Sequence, residues 1–406
     1  MKIIYGIFLF HIVNPVYAET FAAKDLVELA VSRSPELKAL KSEASAQKSL
    51  VDQAGRWENP NLELGGERKE LNYGKTDFVK FGLSQQFPRP ARLQAKAESV
   101  TATAQIAQVE HDAYVIRLKN EVLRLIYEYR AAQEKTLHAE ERLQRFRTIE
   151  TYLRSRPIAS PQKRAEASIV RSKLLLLGRE LRKMEASRRI SWNQLNLYLD
   201  LNAEPSIRAD WFKPGPALRF EELLAKARTF SPQLRSQEFK TKQAESELKF
   251  AKTSSLPGFA LSASYADGSG AEPEKVYGLG LTLPLPVLNT YSSAVSGAQS
   301  QVSAAQSRQE FAVKQLSAQL RSAIENYQEA RTSIEELKVD GLPRLEKDMH
   351  SIDESFKKGQ VDLLVYLEAD TEHAENLNAI FDSQVDFVAA RAAVYELTGQ
   401  APLEAE

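Results

Sequence analysis

Glu58-Asn-Pro-Asn-Leu-Glu-Leu-Gly-Gly-Glu-Arg-Lys-Glu70 is the stretch on which the reading of the fold turns. After Asn59-Pro60 it sets Leu62 and Leu64 alternately with Glu63, the period of a strand with one buried face. The sequence on either side is rich in Ala, Leu, Gln, Glu, Lys and Arg, the composition of extended helix. A lone strand in such a chain needs partners.

The partners come from a second writing of the same text. Ser34-Pro35-Glu36-Leu37 recurs as Ser231-Pro232-Gln233-Leu234, an offset of 197. At that offset Leu26 falls on Leu223, Ala30 on Ala227, Pro60 on Pro257, Leu62 on Phe259 and Leu64 on Leu261. The offset then steps to 198, where Gly82-Leu83-Ser84 meets Gly280-Leu281-Thr282 and Phe87-Pro88 meets Leu285-Pro286. An internal duplication explains these coincidences. It predicts one repeat over 19–210 and another over 211–406, with β-hairpins at about 60–88 and 257–286.

Within the hairpins the faces are unlike. Val79, Phe81, Leu83 and Phe87 oppose Lys80, Gly82, Ser84 and Gln86. Phe259, Leu261, Ala263 and Tyr265 oppose Ala260, Ser262 and Ser264, and Tyr277, Leu279, Leu281, Leu283 and Leu285 oppose Gly278, Gly280 and Thr282. Strands of about 9–12 residues match the length of a tilted transmembrane strand. A soluble reading, with the hairpins packed on the helices, stands beside the membrane reading.

The flanking segments predict long helices over 91–154, 161–200, 292–356 and 362–398. Val115, Leu118, Val122, Leu125, Tyr129 and Ala132 form a 3/4-spaced seam, repeated by Val313, Leu316, Leu320, Ala323, Tyr327 and Ala330. Ala167, Val170, Leu174, Leu177 and Leu181 form another, matched by Leu364, Leu367, Thr371, Ala374 and Asn378 and running on through Phe381, Val385 and Val388. Ser160-Pro161 and Gly359 with Asp362 supply the caps at two chain reversals. The fold class is therefore mainly α with a small β part, built as two tandem repeats of long coiled-coil helices with one hairpin each.

Composition bounds the function. The 406 residues hold 54 basic and 54 acidic side chains, so no net charge favours nucleic acid as a partner. Residues 1–18 carry one lysine, an apolar run from Ile3 to Val13 and Val16-Tyr17-Ala18 at the cleavage position, which predicts a secretory signal peptide. There is no cysteine, which excludes disulfides, thiolate metal sites and thiol nucleophiles, and no lipid anchor is expected. His11, His111, His138, His350 and His373 are scattered, with no two at ligand spacing, so no metal site is predicted. No phosphate loop, nucleophile elbow or zinc-hydrolase motif is present; neither an enzyme nor a cofactor is expected. Four strands cannot close a barrel, and open edges are costly in lipid, so a membrane reading demands an oligomer.

The duplicated pattern, with Gln53 to Glu67 and Phe81 to Arg92 as its landmarks, resembles the TolC-like outer-membrane efflux proteins. The wording near the first hairpin is similar to the cobalt-zinc-cadmium, or heavy-metal, branch, although Pro88-Arg89-Pro90-Ala91-Arg92 departs from that branch's usual Pro-Gly-Lys-Arg. The resemblance implies a homotrimer whose hairpins close a twelve-stranded outer-membrane β-barrel, continued by an α-helical periplasmic tunnel. It implies a passive exit duct of a Gram-negative tripartite efflux system, served by a periplasmic adaptor and an inner-membrane pump of the resistance-nodulation-division type. The cargo it implies is heavy-metal cations; drug efflux and type I protein secretion keep the same fold. A soluble periplasmic coiled-coil scaffold or adaptor is the reading from another class.

On this resemblance Leu62, Leu64, Val79, Phe81, Leu83, Phe259, Leu261, Tyr277, Leu279 and Leu281 face lipid. Arg89 and Arg92 stand at the barrel rim as phosphate contacts or as plain solubilising groups. Leu367-Glu368-Ala369 matches the family's Leu-Asp-Ala at its periplasmic gate, so Glu368, then Asp362, are candidates for a cation-selective ring. Each has an ordinary alternative: a solvated helix face for Glu368 and an N-cap for Asp362.

Overall fold

The computed structural model describes residues 20–72, 74–155, 161–208, 210–213, 215–254, 258–270, 273–337 and 341–400. The predicted signal peptide lies outside the described residues. In chain order the elements begin with β1 (Thr20–Ala22), α1 (Ala23–Arg33), α2 (Pro35–Ala54), β2 (Asn61–Leu71), β3 (Gly74–Phe87), α3 (Pro90–Ser155) and α4 (Pro161–Leu199). They continue with β4 (Ser206–Arg208), α5 (Phe220–Phe230), α6 (Pro232–Ser254), β5 (Phe259–Gly270), β6 (Glu274–Thr282), α7 (Ser292–Glu336), α8 (Leu342–Lys357) and α9 (Leu363–Thr398).

Local chemistry starts and stops these elements. Ser34 caps α2 by accepting from the Leu37 N–H at 3.1 Å, with Pro35 at the first helical position, where its missing N–H costs nothing. At the far end of α8, Gly359 adopts φ +76°, and the N–H groups of Gly359 and Gln360 donate to the Phe356 and Ser355 carbonyls, each at 2.9 Å. That double closure turns the chain, and only glycine enters it without strain.

The two hairpins join in one antiparallel sheet of order β2-β3-β5-β6. Each strand runs on into a helix, so α2, α3, α6 and α7 follow one another side by side below the sheet. Further along, α4, α3, α9 and α7 make the layer, with α8 packed on α9. Helix α3 alone has 66 residues, on the order of 100 Å at 1.5 Å per residue.

Corresponding short helices cover the layer in the same way. Leu26, Val27 and Ala30 of α1 are buried over α3, and Leu223, Leu224 and Ala227 of α5 over α7 and α9. Leu316, Leu320, Ala323, Tyr327, Ala330 and Ile334 of α7 form a buried 3/4-spaced seam, and each fully buried leucine contributes about 1.5–3 kcal/mol.

Two expectations are corrected. The helix predicted over 292–356 is divided, ending at Glu336 and restarting at Leu342. Pro343 stands in the first turn of the new piece and cannot donate in a continuous ladder. In the first half of α9 the buried seam is Leu363, Tyr366, Asp370, His373 and Leu377, one residue ahead of the predicted Leu364, Leu367, Thr371, Ala374 and Asn378. Leu364 is 69% exposed. The apolar residues near the turn point outwards because a charged residue, Asp370, holds the interior position.

Candidate channel wall and helical tip

Strand pairing converts the alternation into continuous rows. Leu62, Leu83, Ala263 and Leu279 lie across the sheet as one row, and Leu64, Phe81, Tyr265 and Tyr277 as the next. These rows share a face with Val79, Phe259, Leu261 and Leu281, and its large apolar side chains are exposed, Leu279 by 93%. So large an apolar surface on one sheet requires a cover. Towards the β2–β3 turn the same face becomes charged, where Arg68 pairs with Asp77 at 2.6 Å.

The opposite face carries the rows Glu63-Gly82-Ser264-Gly278 and Asn61-Ser84-Ser262-Gly280. A Cβ at Gly278 would sit 2.6 Å from Ser264 Oγ, and one at Gly280 2.5 Å from Ser262 Oγ, so neither position accepts a larger residue without a shift. Lys69 of β2 forms an ion pair with Glu274 of β6 at 3.6 Å, across the full width of the four strands. Contact between the two edge strands requires this polar face to be concave. Strands β2 and β6 pair with one neighbour each, leaving a free edge on either side.

At the strand-to-helix turn, aromatic rings gather. Trp57 meets Phe87 edge-on at 5.2 Å, and Phe87 stacks on Phe259 at 5.2 Å. Arg92 lies over the Phe250 ring at 5.0 Å, a cation–π contact, whereas Arg89 is exposed in the turn. The two-residue break between β3 and α3 leaves Arg89 exposed, and the first turn of α3 brings Arg92 onto the protein.

The helical tip is tied by buried polar contacts. Asp370 is completely buried, with Arg142 Nε donating to it at 2.8 Å and Arg145 Nη2 at 3.1 Å. Arg142 also reaches Glu180 of α4 at 3.3 Å, and Tyr366 donates to Asp353 of α8 at 3.3 Å. One carboxylate on α9 therefore fixes that helix against α3, and through Arg142 against α4. His373, one turn further, is held below its ordinary pKa by burial first and by Arg145 next.

Asp362 accepts from the Val365 N–H at 2.9 Å, so it caps α9. Glu368 is exposed on the side of α9 away from Asp370. It begins a stripe, Glu368, Glu372, Glu375, Asp382 and Asp386, at helical spacing. The opposite side is covered, since Gln384 bonds the Phe212 backbone and Phe387 packs on the Phe212 ring. Burial first, then Asp382 and Glu329, raise the Asp386 pKa. Among the described residues no group of three or more His, Asp or Glu is placed to hold a metal ion, and no helix is long and apolar enough to cross a membrane.

Residues 223–400 match the family described as Outer membrane efflux protein. No curated protein matches the chain. Its fold is that of TolC-like channels: the structure of CusC superposes with a TM-score of 0.77 at 14% identity, covering 93% of this chain and 92% of that one. The outer-membrane channel OprN gives 0.77 at 16% identity over 93% and 90%, and the MtrE outer membrane channel of Neisseria gonorrhoeae 0.76 at 16% over 93% and 89%.

Sequence reading missed two features of this region, one with a local signal and one without. The acidic stripe was legible, because its members recur every three, four or seven residues. The Asp370 cluster was not: its arginines lie more than two hundred residues away, and no local pattern announces them.

Proposed function

We propose that the chain is one third of a homotrimeric exit duct in the outer membrane of a Gram-negative bacterium. Its sheet is an arc of a twelve-stranded barrel, and its helices continue the passage through the periplasm to an adaptor and an inner-membrane pump. The observation that carries this reading is the curved sheet, apolar on its outer face, polar on its inner face and unpaired at both edges. Three such arcs remove every edge, which lipid requires. The exposed leucines of the outer face, Leu62 and Leu279 among them, then meet lipid, and Arg89 stands at the periplasmic rim.

The cargo follows from charge. Glu368, Glu372, Glu375, Asp382 and Asp386 line the side of α9 left open by the α5 cover, and three copies would give the tunnel successive rings of carboxylates. Such rings favour cations, in keeping with heavy-metal efflux. A second reading of the cargo, organic molecules, is favoured by a recess of about 890 Å³ between α3, α6, α7 and α9, lined by Ala113, Gln233, Gln319, Ser322 and Asn326.

Fractionation tests the duct: the protein is expected in the outer membrane and extractable only by detergent, and release in soluble form by osmotic shock would overturn the reading. Planar-bilayer conductance tests the cargo. Glu368→Gln should lower the preference for cations over anions, and an unchanged reversal potential would remove Glu368 from the ring.

A further inference from the structure

Helix α4 carries two seams, and the protomer uses one. Ala167, Val170, Leu177 and Leu195 are buried against α3. On the opposite side Leu176, Arg179, Lys183, Ile190 and Leu197 recur at 3, 4 and 7 residues and are all exposed, Leu176 by 62% and Leu197 by 78%. A 3/4 spacing of this kind is the mark of a helix that packs on two neighbours.

The other edge of the helical layer has the complementary charge. The side of α7 turned away from its buried seam presents Glu325, Gln328, Thr332 and Glu336, all exposed. Neither Lys183 nor Glu336 makes an ion pair with another described residue. The two edges can be set level by ring contacts across the layer: Trp192 of α4 meets Tyr129 of α3 at 5.5 Å, and Phe387 of α9 meets Tyr327 of α7 at 5.3 Å. Val388 joins the cluster of Tyr129 and Trp192, so Trp192 and Tyr327 stand at the same height. The two helices run in opposite directions. Descending nine residues towards the tip from Trp192 reaches Lys183, and descending nine from Tyr327 reaches Glu336.

We propose that the free seam of α4 receives the free edge of α7 from a neighbouring copy, with Lys183 against Glu336 and Ile190 beside Thr332 and Gln328. The inference rests on the trimer proposed above and assigns the helical part of its subunit contact. It also continues the sheet, whose two free edges, β2 and β6, must meet in the same ring.

The chain has no cysteine, so paired cysteines report this contact without background. In detergent-purified protein, Lys183→Cys with Glu336→Cys is expected to form dimers and trimers on a non-reducing gel after mild oxidation. These residues lie on opposite edges of one protomer, so the bond can only join two copies. Lys183→Cys with Gln319→Cys, which faces the recess at another height, should stay monomeric. As a second measurement, Lys183→Glu and Glu336→Lys should each lower the trimer fraction at limiting concentration by on the order of fivefold, and the double swap should restore it. A trimer by native mass that neither cross-links nor responds to the swap would overturn the seam and leave the exit duct standing. A parent chain that is monomeric in every mild detergent would overturn both.

Discussion

Helices α4 and α9 hold corresponding places in the two repeats, yet they solve different problems. The buried seam of α4 near the tip is apolar, with Ala167, Val170 and Leu177, whereas that of α9 holds Tyr366, Asp370 and His373. Nine basic and three acidic residues mark α4, and one basic and seven acidic residues mark α9. Helix α4 sits at the edge of the layer and packs chiefly on α3, touching α9 through Lys173, which donates to Thr371 at 3.2 Å, whereas α9 lies between α3 and α7. A duplicated helix with one main neighbour keeps a simple apolar seam. Its counterpart between two neighbours has taken charge into the interior, and its acids have gathered on the remaining open side.

The largest way to break this comparison is Asp370→Ala. It strands two arginines beside a buried hole and should cost about 3–5 kcal/mol, read as a fall in the unfolding midpoint of the purified protein. Asp370→Leu with Arg142→Met should recover most of the loss, as apolar replacements of buried ion pairs do. The matched change on the other side, Leu177→Ala, should cost about 2–3 kcal/mol through an ordinary cavity. Equal losses for the two would erase the distinction between the helices.

Two smaller tests sharpen it. Asp362→Ala removes the cap of α9 and should cost about 1 kcal/mol, with Asp362→Asn nearly neutral. The pH dependence of Asp386 is the smallest effect. Its pKa is raised in the fold, so the stability linked to its proton is complete below the ordinary aspartate value of 3.8 and is lost as pH rises through the raised value. Asp386→Asn should therefore lose less stability than the parent between about pH 4 and pH 7. Parallel melting curves across that range would remove Asp386 from the crowded stripe.

The same contrast explains what the sequence made visible. The hairpins were legible because Leu62, Leu64, Phe81 and Leu83 follow a period that helices do not use, and the α4 seam because its members are apolar. The α9 seam was placed one residue late because Leu364 and Leu367 are apolar and Asp370 is not. Periodicity reads burial from hydrophobicity, and a carboxylate paired by two distant arginines escapes it. The break before Leu342 was announced by Gly341 and Pro343, but a continuous run of helix formers on both sides masked it. Asp362 was legible as a cap from its place after Gly359.

The paired glycines and serines of β5 and β6 have a consequence beyond close strand approach. Along Ser262, Ser264, Gly278 and Gly280 the concave face is no more than a hydroxymethyl group deep. In the proposed duct the space in front of it would be left to water. A hydrated ion passing there would keep its solvation shell, and friction against the wall would be that of liquid sliding on liquid.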